Sequence, residues 1–106
     1  MNYSQRADEF IARIRSAQLN TTTDIALVFH YEDAKGQPRR QRVSITPTTI
    51  LPRSDAPDAR PKVNPRQLDA IIDSIEKRVR RPPESSILDG VQVKLVGIDL
   101  EIDGAI

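Results

Sequence analysis

The sequence predicts an α+β domain in which a small antiparallel sheet, curled toward a partial barrel, packs its apolar face against helices. Three observations predict it. The stretch Asp24 to Pro47 holds two strand-like runs joined by a clear turn. Amphipathic helical patterns stand on both sides of that hairpin, and a long alternating run near the end slips by one residue at Gly97. Runs of strand mixed with runs of helix, without a regular βαβ alternation, favour α+β over a parallel α/β sheet.

In chain order, Ser4 is a candidate N-cap. Asp8 and Glu9 fall in the early turns, where carboxylates favour the helix dipole, and Ala7, Phe10, Ile11 and Ile14 recur at helical spacing. The β-branched Thr21, Thr22 and Thr23 then bring in the first strand. Ile25, Leu27, Phe29 and Tyr31 share one face of that strand, and Ala26, Val28 and His30 share the other, a composition suited to a central position. Asp33 to Pro38 closes the hairpin. On the return strand Gln41, Val43 and Ile45 alternate with Arg40, Arg42 and Ser44, so one face is wet and basic.

Thr48 to Leu51 is β-prone and could extend the sheet, and Pro52 to Pro65, with four prolines, reads as an exposed loop. Asn64, Pro65 and Gln67 form the start signature of a second helix, with Leu68, Ile71, Ile72, Ile75 and Val79 as its apolar stripe. Asp73 with Lys77 and Glu76 with Arg80 are acid-before-base pairs at i,i+4, and Pro82 and Pro83 stop the helix. Ile87 to Gly90 reads as a short apolar approach and a turn. From Val91 the last strand alternates until Gly97, where the slip points to a bulge, and Asp103-Gly104 is a type I′ turn signal. The expected core is Phe10, Ile14, Ile25, Leu27, Phe29, Val43, Ile45, Leu68, Ile72, Ile75, Val93, Leu95 and Leu100.

A chain of 106 residues, 38% of them apolar, suits one domain over residues 1–106, with residues 52–65 as its exposed proline-rich loop. Sixteen basic and fifteen acidic residues nearly cancel, so any affinity for nucleic acid would rest on local clustering. The lack of cysteine removes thiolate metal sites and cysteine nucleophiles and fits a reducing compartment. The polar start and the absence of a long apolar run give the expectation of a cytoplasmic protein with no membrane association.

The candidate chemistry is sparse. Asp99, Glu101, Asp103 and Gly104 resemble the opening of a calcium loop but lack its closing glutamate, and strand alternation accounts for the same spacing. His30, the single histidine, has no cysteine or second histidine to join it and no nucleophile motif, so a structural histidine at the sheet edge is favoured. The glycines are scattered rather than clustered, which excludes a phosphate loop. Lys35, Arg39, Arg40 and Arg42 form the sharper cluster. With His30 and Tyr31 beside them, Arg39, Arg40 and Arg42 are candidate ligand or phosphate contacts, and the alternative is a solvated edge charged to prevent sheet-to-sheet association. No catalytic residues, metal or cofactor are expected.

Two blocks, Leu27 to Pro47 (LVFHYEDAKGQPRRQRVSITP) and Leu95 to Ala105 (LVGIDLEIDGA), resemble the WYL-domain family of small Sm-like, SH3-type barrels found mostly in bacterial regulators. The namesake tripeptide would fall on Val93, Lys94 and Leu95, so only its leucine is present. The resemblance implies a ligand-sensing or nucleic-acid-contacting regulatory module.

Two functions of different class follow. One is a non-enzymatic regulatory or ligand-binding module that holds nucleotide or nucleic-acid phosphates on its basic strand. The other is a protein-interaction or assembly component with no nucleic-acid role. The β-branched run around Ile98, Leu100 and Ile102 would leave unpaired backbone groups at an edge, which predicts a homodimer. Sedimentation equilibrium at micromolar concentration checks this: twice the chain mass is expected, and a monomer mass unchanged on concentrating defeats it.

Overall fold

The computed structural model describes residues 2–20, 22–45 and 63–106. Its elements in order are α1 (Tyr3–Ser16), β1 (Ile25–Asp33), β2 (Pro38–Ser44), α2 (Pro65–Val79), β3 (Ser85–Leu88) and β4 (Val91–Ile102). The strands form one open antiparallel sheet in the order β2-β1-β4-β3. This is the expected α+β class, with a sheet that does not close. The β-prone Thr48 to Leu51 and most of the proline-rich loop lie outside the described residues.

Helix α1 begins two residues earlier than Ser4 would place it. Asn2 is the N-cap, its side-chain oxygen accepting from the Gln5 N–H at 3.1 Å. Helix α2 starts as its sequence predicts. Asn64 Oδ1 accepts from the Gln67 N–H and Gln67 Oε1 from the Asn64 N–H, both at 2.9 Å, with Pro65 at the first helical position where no donor is lost. Both i,i+4 pairs form, and Arg80 at its C-cap also reaches back to Asp8 and Ser4 of α1, so one guanidinium ties the helices together.

The helices share one face of the sheet. Ala7, Phe10 and Ile14 of α1 and Ile71, Ile75 and Val79 of α2 meet Ile25, Leu27, Phe29 and Tyr31 of β1 and Val93, Leu95, Ile98 and Leu100 of β4 in a single core. Three residues of the expected core, Val43, Leu68 and Ile72, lie at its margin instead, partly buried. Leu68 and Ile72 sit on the flank of the α2 stripe, whereas Ile71, Ile75 and Val79 repeat every four residues along the line that points inward.

The glycine slip is a bulge, as expected. His30 pairs with Gly97 but Tyr31 pairs with Leu95, leaving Val96 as the extra residue. Without it the Val91–Leu95 and Ile98–Ile102 halves of β4 could not both turn their apolar side chains to the helices. The segment Ile87 to Gly90 does more than approach and turn. It completes strand β3, joined to β4 by Asp89 (φ 51°) and Gly90 (φ 77°), two consecutive left-handed residues that make a tight hairpin.

The β4 edge around Ile98, Leu100 and Ile102 is partly occupied. The Asp103 N–H donates to the Asp24 carbonyl, so even-numbered β1 residues face β4, and Ile98, Leu100 and Ile102 turn their backbone groups away from β1. Of these outward groups, the Leu100 carbonyl accepts from Arg13 of α1 at 3.2 Å, and Ile102 exchanges both bonds with Ala105 across the Asp103-Gly104 turn. These three groups are satisfied within the chain.

Leu100 is fully buried and Ile87 is 72% exposed. Leu100→Ala is therefore expected to cost about 2–5 kcal/mol of unfolding free energy, and Ile87→Ala to stay within about 0.5 kcal/mol, both read from urea denaturation.

Candidate functional site: the helix-free face of the sheet

The face of β1 opposite the helices carries Ala26, Val28 and His30. By register, β2 contributes Ser44, Arg42 and Arg40 beside them, and β4 contributes Glu101, Asp99 and Gly97. Ala26 and Val28 are nonetheless buried, at 0% and 3% exposed. Arg42 explains part of that cover. Its Nε donates to Glu101 Oε1 at 3.0 Å and its Nη2 to Asp24 Oδ2 at 2.6 Å, so the side chain crosses from β2 over β1 to β4 and lays its aliphatic stem across the two small residues. Both carboxylates hold the Arg42 guanidinium pKa above its ordinary value, the hydrogen bond it donates to Glu101 most of all.

A second chain of charges starts on α1. Arg6 lies over the Phe10 ring at 4.8 Å, pairs with Glu9, and sends Nη2 to Asp99 Oδ1 at 2.8 Å. The other Asp99 oxygen is 2.7 Å from His30 Nε2. Asp99 already accepts from a guanidinium, and as a carboxylate it takes Nε2 as the donor of this pair.

The residues singled out in the sequence are only partly brought together. His30 sits in a central strand rather than at the sheet edge, because β1 is flanked by β2 and β4. Arg40 is its direct cross-strand neighbour. Since the backbone of His30 points at β4, this is a non-hydrogen-bonded pair, the type whose Cα atoms approach to about 4.5 Å and whose side chains lie closest. Among the described residues Arg40 has no ion-pair partner. Arg42 is engaged as above, and Arg39 pairs with Asp33 across the hairpin, Nε to Oδ2 at 3.5 Å. Tyr31 leaves the group: its side chain faces the helices, is 4% exposed and stacks on Phe29 at 6.4 Å between ring centroids. Burial raises its hydroxyl pKa.

These positions frame a shallow depression of about 410 Å³ lined by His30, Tyr31, Glu32, Pro38, Arg39, Arg40 and Val96. Its cationic side chain is Arg40, and Glu32 lines the same hollow; Arg39, opposite Tyr31 in register, turns its side chain to the other face, toward Asp33. Val96, the bulge residue, is 42% exposed and with Pro38 supplies apolar surface. His30 stands between them with Nε2 committed to Asp99 and Nδ1 without a partner among the described residues. Such a site can hold a small anion against one guanidinium and one imidazole. It contains no nucleophile aligned on a base. Among the described residues no group of three or more acidic or histidine side chains is arranged for a metal ion, and Asp99 and Glu101 of the calcium-like run are bound to cations of the chain itself.

Sequence reasoning missed Asp99 as the partner of His30 and Val96 as part of the wall. Both depend on the register between segments some seventy positions apart, which spacing along the chain does not carry. No family model, no curated protein and no solved structure matches this chain. Among the described residues no helix is long and apolar enough to cross a membrane.

Asp33 holds the hairpin turn that joins β1 to β2. Its Oδ1 accepts from the Lys35 and Gln37 N–H groups at 2.9 and 3.0 Å, and its carboxyl pKa is lowered by the Gln37 hydrogen bond first, with Lys35 and Arg39 adding to it. A carboxyl depressed in the fold stabilises it above the unfolded value of about 3.9, and that contribution is lost as pH falls through the lowered folded value. Asp33→Asn should therefore lower the urea midpoint at pH 7, with the gap between variant and parent narrowing as the pH falls below the ordinary carboxylate range.

Proposed function

We propose that this protein is a non-enzymatic ligand-binding module that holds a small anion in the depression between Arg40, His30 and Val96. The observation that carries the reading is Arg40. It is the arginine of the Arg39, Arg40 and Arg42 cluster with no carboxylate partner among the described residues, and it stands beside a histidine over a partly apolar hollow. The neighbouring arginines also define the size of the ligand. Arg42 is bound to two carboxylates and Arg39 to one, so a nucleic-acid strand would have to displace existing ion pairs to gain more than one strong phosphate contact. Polyanion affinity grows with the number of phosphates neutralised, and this face has little cationic charge in surplus. A single phosphate or sulfate group, alone or on a small molecule such as a mononucleotide, fits the arrangement better.

The resemblance to WYL-type regulators is compatible with a ligand-sensing role of this kind, and the absence of cysteine fits a cytoplasmic setting. The alternative is an assembly component with no anion role, whose mark is self-association.

Titration of the labelled protein with inorganic sulfate and with a single-stranded oligonucleotide, followed by amide chemical shifts, tests the reading. Sulfate is expected to shift resonances around His30, Arg40 and Val96 at millimolar concentration, and Arg40→Ala to weaken its binding at least about fivefold, an effect of about 1 kcal/mol or more for a charged hydrogen bond. Oligonucleotide binding that is much tighter than sulfate binding and falls steeply with salt would replace the small ligand by a nucleic acid. No shift with either ligand would leave the assembly reading.

A further inference from the structure

We propose that anion binding at this site is coupled to proton uptake by His30, so that the site binds a dianion in mild acid and releases it as the pH rises. The inference rests on the proposed anion-binding reading and adds its regulation.

Asp99 accepts from Arg6 at 2.8 Å through one oxygen and lies 2.7 Å from His30 Nε2 through the other. With Asp99 ionised, Nε2 is the protonated nitrogen in both charge states of the ring. Neutral His30, which lines the depression, therefore carries its lone pair on Nδ1, the nitrogen with no partner among the described residues. An anion that reaches Nδ1 is repelled by that lone pair and finds an N–H only on the imidazolium. Proton and anion thus occupy neighbouring places and each favours the other.

The surrounding charges set the balance. On β1 itself Glu32 shares the face two residues on, and across from it on β4 stands Lys94. From β2 come Arg40, directly opposite His30, and Arg42, one pair further along. From β4 comes Asp99, and from α1 Arg6 behind it. Without ligand, Arg40 opposes a second positive charge on its neighbour while Asp99, shared with Arg6, favours it. An anion seated on Arg40 cancels the repulsion and adds an attraction of its own, so the bound state takes up a proton that the free state releases. Linkage is reciprocal: whatever raises the affinity of His30 for its proton in the complex raises the affinity for the anion at low pH by the same factor. A dianionic group gains more from two adjacent cations than a monocarboxylate does, so the class of ligand selected is a phosphate monoester or sulfate.

Inorganic sulfate is the suitable probe because it stays a dianion from pH 5.5 to 8, whereas phosphate itself titrates in that range. Dissociation constants for the full chain are measured at pH 5.5 and pH 8 at constant ionic strength, and the His30 ring protons are titrated with and without saturating sulfate. The expected results are binding about tenfold tighter at pH 5.5 and a His30 midpoint moved to higher pH by sulfate. In His30→Gln, whose amide can still donate to Asp99, the two constants should become equal. Equal constants in the parent protein, a His30 midpoint unmoved by sulfate, or a pH dependence that survives in His30→Gln each overturn the coupling while leaving the binding site in place. Absence of sulfate binding at both pH values overturns the site itself, and the coupling with it. The ring titration needs no substitution, so it decides the matter even where the variant does not fold.

Discussion

A strand buried on both faces needs cover on both, and among the described elements β1 has helices on only one. This constraint organises the rest. Ala26 and Val28 are as inaccessible as the residues turned to the helices, yet the groups that cross their face are charged. Arg42 can lie there because its stem is apolar and its head is satisfied by Glu101 and Asp24, so neither hydrocarbon nor charge is left in the wrong surroundings. The cost is functional. An arginine fixed across β1 is not available to a ligand, and the same logic removes Arg39, which Asp33 holds at the hairpin.

The two sides of the sheet therefore contribute unequally. The helix side holds the large buried side chains, Phe10, Ile14, Ile25, Leu27, Ile71, Ile75, Ile98, Leu100 and Val79, and each is worth about 1.5–3 kcal/mol in transfer free energy. The ion pairs of the other side are partly exposed, and pairs of that kind contribute about 0–1 kcal/mol each. Burial on the helix side holds the domain together, and the charged face chiefly fixes which side chains stand where. Arg6 connects the two, since it stacks on a core phenylalanine and ends on Asp99 beyond the edge of β4.

The elements written in local signals were legible in the sequence. The cap residues of α2, the hairpin turn and the slip at Gly97 each depend on a few neighbouring residues, and each appears where those residues place it. Strand β3 was not legible, because four residues, SSIL, carry too little alternation to stand out beside the turn that follows them. Tyr31 shows a different limit. Its place on the Ile25, Leu27 and Phe29 face was plain from alternation, and the basic strand made it look available to a ligand even so; periodicity was the better guide. The marginal place of Val43 has the same origin in reverse, since alternation put it on the core face without showing that an edge strand covers its residues only in part.

The bulge joins the fold to the site. An unbroken β4 in the register of its last residues would put Val96 on the core face and Leu95 on the outer one, against the burial of Leu95 at 6% and the exposure of Val96 at 42%. One extra residue lets Leu95 turn to the helices and Val96 outward, next to a glycine that faces His30 and carries no side chain to compete for the space. The imidazole thus has Gly97 on one side, Arg40 on the other and Asp99 within reach two residues along. Gly97 is the direct register partner of His30 and places no side chain beside the ring. The residue that repairs the apolar pattern of β4 is in this way also the residue that walls the depression, and the glycine beside it leaves the room in which His30 can stand between its carboxylate and an incoming anion.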